Sequence, residues 1–299
     1  MTNLLCFGMG FCAKALARRL KVSGWTVLGT ARTPESQATL IAEGFATERV
    51  NRVFQVQMVH ESPLHILVSA PPSSEGDPLL TNFGADLTDR ASNIKWLGYL
   101  STTGVYGDHK GEWVDEDTPL GATTDRARHR VRAEQQWLDW GRKHDVSVQV
   151  FRLAGIYGPD RNQLESLRTG TARRIEKPGQ VFSRIHVEDI ATVLKASLAS
   201  PAAGRIYNVC DDEPCAPHIV VEYAATLLGV EPPPLESFEY AKTTLTPMAA
   251  SFYSESKRVR NERIKAELGI KLQYPSYREG LRALQQELIS VQLSSAKDS

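Results

Sequence analysis

Near the amino terminus, Gly8-Met9-Gly10-Phe11-Cys12-Ala13 has the spacing G-x-G-x-x-A. Glycines so placed allow a tight turn, after which the backbone can approach a pyrophosphate at the positive end of a helix. The string alone is common. It gains weight because an apolar strand candidate, Asn3–Phe7, precedes it and a segment with helical spacing, Cys12–Leu20, follows it. Dinucleotide binding through Gly8, Gly10 and Phe11 is the chemistry this pattern suits, with a plain tight turn as the alternative.

The end of the second strand candidate, Trp25–Thr30, chooses between dinucleotides. An acidic residue there would accept from a ribose 2′-hydroxyl. Gly29-Thr30-Ala31-Arg32 instead offers no carboxylate before Glu35. Arg32 presents a planar fork of donors suited to a 2′-phosphate, although a solvated surface arginine is the plainer reading. NADP is therefore the expected cofactor, with NAD left open.

The elements that would position these residues alternate along the first half of the chain. Strand candidates at Asn3–Phe7, Trp25–Thr30, His65–Ala70, Trp96–Leu100 and Val146–Leu153 are separated by helix-period segments, one of them running from Pro34 to Glu43. Strands apolar on both faces and separated by helices imply a parallel sheet covered on both sides. In the second half, a charged stretch with Gly and Pro (Leu164–Gly179) precedes a helix at His186–Ala199 and a strand at Arg205–Val209. The expected fold class is α/β, a Rossmann doubly wound parallel sheet with a small C-terminal substrate lobe. Residues 1–160, continued by 184–210, would form the dinucleotide-binding domain, and residues 161–183 with 211–290 the smaller lobe.

Composition bounds the function classes. The chain has 299 residues, 41% hydrophobic and 23% charged, with 35 basic against 35 acidic side chains. That balance gives a sizeable core and no net charge to favour nucleic acid or an anionic membrane. The uncharged run Met1–Ala13 falls short of the ~18 residues a spanning helix needs and lacks the basic lead-in of a signal peptide. Four cysteines (Cys6, Cys12, Cys210, Cys215) make no disulfide framework, and no side-chain group has metal-ligand spacing. A soluble cytoplasmic protein without metal, nucleic-acid or membrane partners is expected.

Further segments resemble one family. Ser101-Thr102-Thr103-Gly104-Val105-Tyr106-Gly107, Arg152-Leu153-Ala154-Gly155-Ile156-Tyr157-Gly158-Pro159, Arg184-Ile185-His186-Val187-Glu188-Asp189-Ile190 and Tyr207-Asn208-Val209 occur in the order and spacing of the extended short-chain dehydrogenase/reductases, in their nucleotide-sugar epimerase/dehydratase-like branch. The resemblance spans roughly residues 3–210, with a family-like end at Leu268–Leu281. It implies that Ala70 and Pro71 approach the nicotinamide ribose, that Ser101 and Gly155 belong to the cofactor side, and that Thr102 positions the reacting oxygen. It also implies a small-molecule substrate and, since the helix bearing Trp137 and Trp140 often packs between subunits in that family, a homodimer.

One departure changes the chemistry. The family's acid/base tyrosine, with a lysine four residues on, falls on Arg126 and Arg130 in the helix Thr124–His144, and no tyrosine occurs between Tyr106 and Tyr157. A guanidinium stays protonated and cannot shuttle a proton as a phenol does. Two Tyr-x-x-x-Lys strings stand elsewhere, Tyr106 to Lys110 in a post-strand loop and Tyr253 to Lys257 far along the chain. Neither is expected to be the missing pair. Tyr106 by itself remains a candidate proton donor beside Thr102, Arg126 and Arg130.

Laid out at about 100° per residue, Arg126, Arg130 and Glu134 fall inside the helix's apolar arc. Glu134 would then satisfy Arg130, leaving Arg126 for an anion of the substrate or cofactor; two arginines ion-paired at a helix junction is the plainer reading. Phe182 and Gly155 stand where nucleotide-sugar enzymes usually carry an Arg and an Asn, which favours a smaller ligand. His186 reads as a satisfied helix-start histidine, Asp189 as a complement to the helix dipole, and Ser256–Lys265 as a solvated helical face. Two functions compete: an oxidoreductase or epimerase-type enzyme acting on a small, possibly anionic, carbonyl or hydroxyl compound, and a non-catalytic NADP(H)-binding sensor or interaction protein.

Overall fold

The computed structural model is described over residues 3–60 and 63–295. Chain order begins with β1 (Asn3–Phe7), α1 (Phe11–Val22), β2 (Thr26–Ala31), α2 (Pro34–Ala42), β3 (Thr47–Arg49), the short α3 (Gln57–His60), β4 (Leu64–Val68), α4 (Pro78–Asp89) and β5 (Ile94–Thr102). It continues through β6 (Trp113–Val114), α5 (Asp125–His144), β7 (Val148–Leu153), β8 (Gly155–Tyr157), α6 (Gln163–Arg168), β9 (Arg174–Glu176), β10 (Arg184–His186), α7 (Val187–Ala199), β11 (Ile206–Val209) and α8 (Pro217–Leu228). After these come β12 (Leu235–Ser237), α9 (Phe238–Ala241), α10 (Pro247–Phe252), β13 (Arg258–Val259), α11 (Glu262–Leu268) and α12 (Tyr277–Ser295).

Seven strands form one sheet in the order β11-β7-β5-β4-β1-β2-β3, with every pairing parallel. The order reverses between β1 and β4, the switch point at which doubly wound sheets bind ligands outside their carboxyl ends. The register lines those ends up: Phe7 lies opposite Val68, Val68 opposite Tyr99, and Thr102 opposite Leu153. β3 escapes sequence reading because Thr47, Glu48 and Arg49 make a short, polar edge strand with no apolar run to mark it.

Two apolar clusters cover the sheet, one gathering α1 and α7 and the other Ala133 and Trp137 of α5 with Leu79 and Leu87 of α4. Trp96 shows how tightly the first is closed. Its indole donates to Ser197 Oγ at 2.8 Å and lies so near Gly98 that a Cβ there would sit 2.2 Å from the ring. A third cluster joins α6, α8 and α12 around Leu164, Val220, Ala224 and Leu281.

Asp189, in the first turn of α7, is structural as expected, and it does more than complement the helix dipole: its carboxylate accepts from Gln273 N at 2.7 Å and Tyr274 N at 2.9 Å, pinning the segment before α12 to α7. One expectation for the second half needs correction: Ser256–Lys265 is not one solvated helical face. Ser256 and Lys257 are buried, β13 pairs with β6, and only the remainder enters α11. Among the described residues no helix is long and apolar enough to cross a membrane, and no group of His, Cys, Asp and Glu could hold a metal ion.

His186 caps α7, its Nδ1 accepting from Glu188 N at 3.2 Å, between the rings of Tyr157 and Tyr274. It is 2% exposed, and burial lowers its pKa from 6.5 to about 4. Folding therefore favours the neutral ring. Its contribution is complete above pH 6.5 and shrinks as pH falls towards 4, by up to about 3 kcal/mol. Urea titrations should show this acid sensitivity largely removed in His186→Gln; an unchanged pH slope would count against it.

Candidate functional site

A cleft of about 1280 Å³ opens along the carboxyl ends of the central strands. Its floor is the phosphate turn. Gly8, at φ +93°, leaves β1 so close to β4 that a Cβ would meet Ala70 N at 2.9 Å. Met9 turns inward and is buried, and Gly10 opens α1. That helix has no side-chain cap and no acidic residue in its first turn, whereas α2 and α5 are capped by Thr33 and Thr124. Its first N–H groups are thus left with donors to spare. A Cβ on Gly10 would meet nothing within 4 Å. Open space over uncapped amides is what a pyrophosphate requires, so the residues present fit a dinucleotide.

Of the expected cofactor residues, Gly10, Phe11, Ser101 and Gly155 line this cleft. Ala70 follows β4, its N–H bonded to Phe7 O at 3.1 Å, with Pro71 exposed beside it. Arg32 is exposed at the end of β2. Arg49, at the end of β3, donates to Arg32 O at 2.9 Å and keeps a buried Nε without a partner. This second guanidinium beside Arg32 has no signal in the sequence, because it depends on β3.

The reacting end differs from expectation in three respects. Thr102 lines the cleft and its hydroxyl accepts from Gly104 N at 3.1 Å, which leaves its proton for donation. Tyr106 points away. It is 1% exposed, its hydroxyl accepts from Arg152 Nη1 at 2.9 Å and donates to Asn208 Oδ1 at 2.8 Å, and burial pushes its pKa up to about 12. A phenol so held is a core group, and its candidacy as proton donor falls.

The pairing expected between Glu134 and Arg130 is also absent. Glu134, 3% exposed, takes the guanidinium of Arg152 at 2.8 Å and the hydroxyl of Ser101. Arg130 instead donates to Tyr99 Oη at 3.0 Å and Leu100 O at 2.6 Å. Helical spacing placed Glu134 on the right face but could not show that β7 delivers a competing arginine to it. Arg126 is exposed rather than buried, its guanidinium 5.1 Å from the ring centre of Phe252. Both Arg126 and Arg130 line the cleft, and neither forms a salt bridge among the described residues.

Sequence reasoning passed over four further lining residues. Arg161 lies near enough to Cys12 for its charge to favour the thiolate, which places it over the start of α1. Arg184 comes from β10. Tyr253 and Lys257, set aside for their distance along the chain, are folded back onto the cleft, where Lys257 Nζ donates to Gly107 O and Glu255 Oε2, both at 2.7 Å. The Tyr-x-x-x-Lys spacing was the available signal. It was discounted because sequence distance says nothing about a chain that returns over the sheet.

The strand order, the switch point and the uncapped phosphate turn define a dinucleotide-binding α/β protein of the Rossmann type. Residues 7–210 match the model of the NAD dependent epimerase/dehydratase family, and the chain belongs to that family. A nicotinamide cofactor goes with membership, as does oxidoreductase or epimerase chemistry in the general sense. Among similar proteins, Protein YeeZ of Escherichia coli (strain K12) is 28% identical, the match covering 92% of this chain and 97% of that one. A protein of Streptomyces sp named 3-diazoavenalumate denitrifying reductase is 26% identical over 94% and 99%. A solved structure of a functionally unknown conserved protein from Silicibacter pomeroyi DSS is 50% identical, with a TM-score of 0.86 over 96% of this chain and 99% of that one.

The buried network yields a stability contrast. Glu134→Ala strands the Arg152 guanidinium and should cost about 3–5 kcal/mol. Tyr106→Phe removes one hydroxyl and should cost about 1–3 kcal/mol. Chemical denaturation of both variants checks the order, which a costlier Tyr106→Phe would reverse.

Proposed function

We propose that this protein is an NADP(H)-dependent oxidoreductase or epimerase-type enzyme that acts on a small anionic carbonyl or hydroxyl compound without a tyrosine–lysine acid/base pair. The observation that carries this reading is α5. Beside Thr102 it presents Arg126 and Arg130, two guanidiniums with no carboxylate partner among the described residues. Arg32 and Arg49 at neighbouring strand ends support the preference for a 2′-phosphate.

When bound, the nicotinamide supplies or takes up a hydride. The chain's own residues do the rest. Thr102 donates its hydroxyl proton in a hydrogen bond to a substrate oxygen. The guanidinium of Arg130, fixed by Tyr99 and Leu100, faces the negative charge that develops on that oxygen and stabilises it electrostatically. Arg126 adds a second positive charge on the same helix, which helps draw the anionic compound into the cleft. A water admitted by the open cleft exchanges the proton, since neither guanidinium can release one. The reductase name of the Streptomyces relative favours hydride transfer, whereas the lost acid/base pair favours the competing reading, a protein that binds NADP(H) and turns nothing over.

Titration with NADPH and NADH, followed by NADPH oxidation with a panel of small anionic aldehydes and ketones, tests the reading. NADPH should bind at least about tenfold more tightly than NADH, a margin of ~1.4 kcal/mol, and Arg32→Ala should narrow it. Arg130→Ala should lower kcat/KM by about 10²-fold or more, while Tyr106→Phe retains turnover. NADPH binding with no oxidation by any compound would establish the sensor, and tighter NADH binding would overturn the cofactor preference.

A further inference from the structure

The cleft also contains a cation, Arg184, that forms no salt bridge among the described residues. Arg184 stands opposite Gly155 in the β10–β8 pairing. Its Nη1 donates to Phe182 O at 2.9 Å, to Cys215 O at 3.3 Å and to Cys215 Sγ at 3.4 Å. All three partners are neutral acceptors, and Arg184 forms no salt bridge among the described residues. Nε and Nη2 have no protein partner there either. Asp211, 1% exposed, lies close by, its N–H donating to Arg184 O at 2.7 Å; burial pushes its carboxyl above the usual carboxylate range, against the opposing pull of the Arg184 charge.

Tyr277 lines the same cleft. It is 1% exposed, and its hydroxyl is buried without a hydrogen-bond partner. Arg278 stacks over its ring at 4.7 Å, and Tyr223 meets it edge-on at 5.6 Å, so the ring cannot swing out to find one. Burial pushes the phenol up to about 12 and keeps it a donor, while Arg184 lies close enough to favour its ionisation. An orphaned buried hydroxyl is unfavourable, and a ligand that supplies an acceptor removes that cost. Around these two groups stand apolar Ile175, Val220, Val221 and Leu281, and the polar side chains of Asn162, Gln163, Ser166 and Thr169 line the same cleft.

We infer that Arg184 and Tyr277 form a carboxylate-binding subsite that takes the acid end of a substrate. Arginine meets a carboxylate with parallel N–H donors, and the phenol supplies a further donor to the same group. This substrate class deepens the function proposed above and rests on it for the reaction, though not for the binding.

Calorimetry with trans-cinnamate and trans-cinnamamide on the full chain, with and without NADPH, tests the subsite. The acid should bind at least about tenfold more tightly than the amide. Arg184→Gln should erase that preference, and Tyr277→Phe, which removes one oxygen, should reduce it by about fivefold or more, equivalent to ~1 kcal/mol. NADPH affinity, measured on the same samples, should stay unchanged in both variants. Equal binding of acid and amide, no binding of either, or a preference that survives Arg184→Gln overturns the subsite. Failure of the wild-type chain to bind NADPH would overturn the cofactor reading instead, and the acid–amide comparison without nucleotide would still stand.

Discussion

A carboxylate buried beneath the carboxyl edge of the sheet holds the site together. Glu134 reaches from α5 to the guanidinium of Arg152 on β7 and to the hydroxyl of Ser101 on β5. Arg152 continues to Tyr106, and Tyr106 to Asn208 on β11. A charge pair so far from water persists only when its remaining lone pairs and protons are also engaged, because desolvating two ions rivals their attraction. The engagement here is nearly complete, so the end of β5 has little freedom. Thr102, one residue beyond Ser101, inherits that rigidity and so stands in a defined place at the cleft.

The satisfied network beneath the sheet edge contrasts with the cleft above it. Below, the arginine is matched by a carboxylate. Above, Arg126, Arg130 and Arg184 meet rings, carbonyls and a thiol. The chain has no net charge, and the cationic cleft therefore results from placement, not composition. Attraction for anions comes at a point where low-dielectric walls strengthen it. Guanidiniums suit such a position because they keep their charge at any relevant pH, although this same property denies them proton transfer.

Much of the nucleotide half was legible in advance. The G-x-G-x-x-A turn, the apolar strands and the helices between them are local signals, each confined to one strand or one turn, and local chemistry settles them. The substrate side was less legible. Glu134 was placed on the correct face of α5 and given the wrong partner, since helical periodicity ranks neighbours along one helix and is silent about a competitor arriving from β7. Tyr106 sat in the expected motif, but the turn after β5 sends its hydroxyl to Asn208 instead of the cleft.

From the sequence by itself came the doubly wound sheet, the glycine turn and the absence of tyrosine from α5, because residue type, periodicity and spacing act over a few residues and survive any packing. Only the tertiary structure decided which arginines are neutralised, that Arg49 stands beside Arg32, and that Tyr253 and Lys257 return to the cleft. Those outcomes depend on strands and helices distant in the chain competing for the same partners, and hydrogen bonds and charges select among such partners by distance in space.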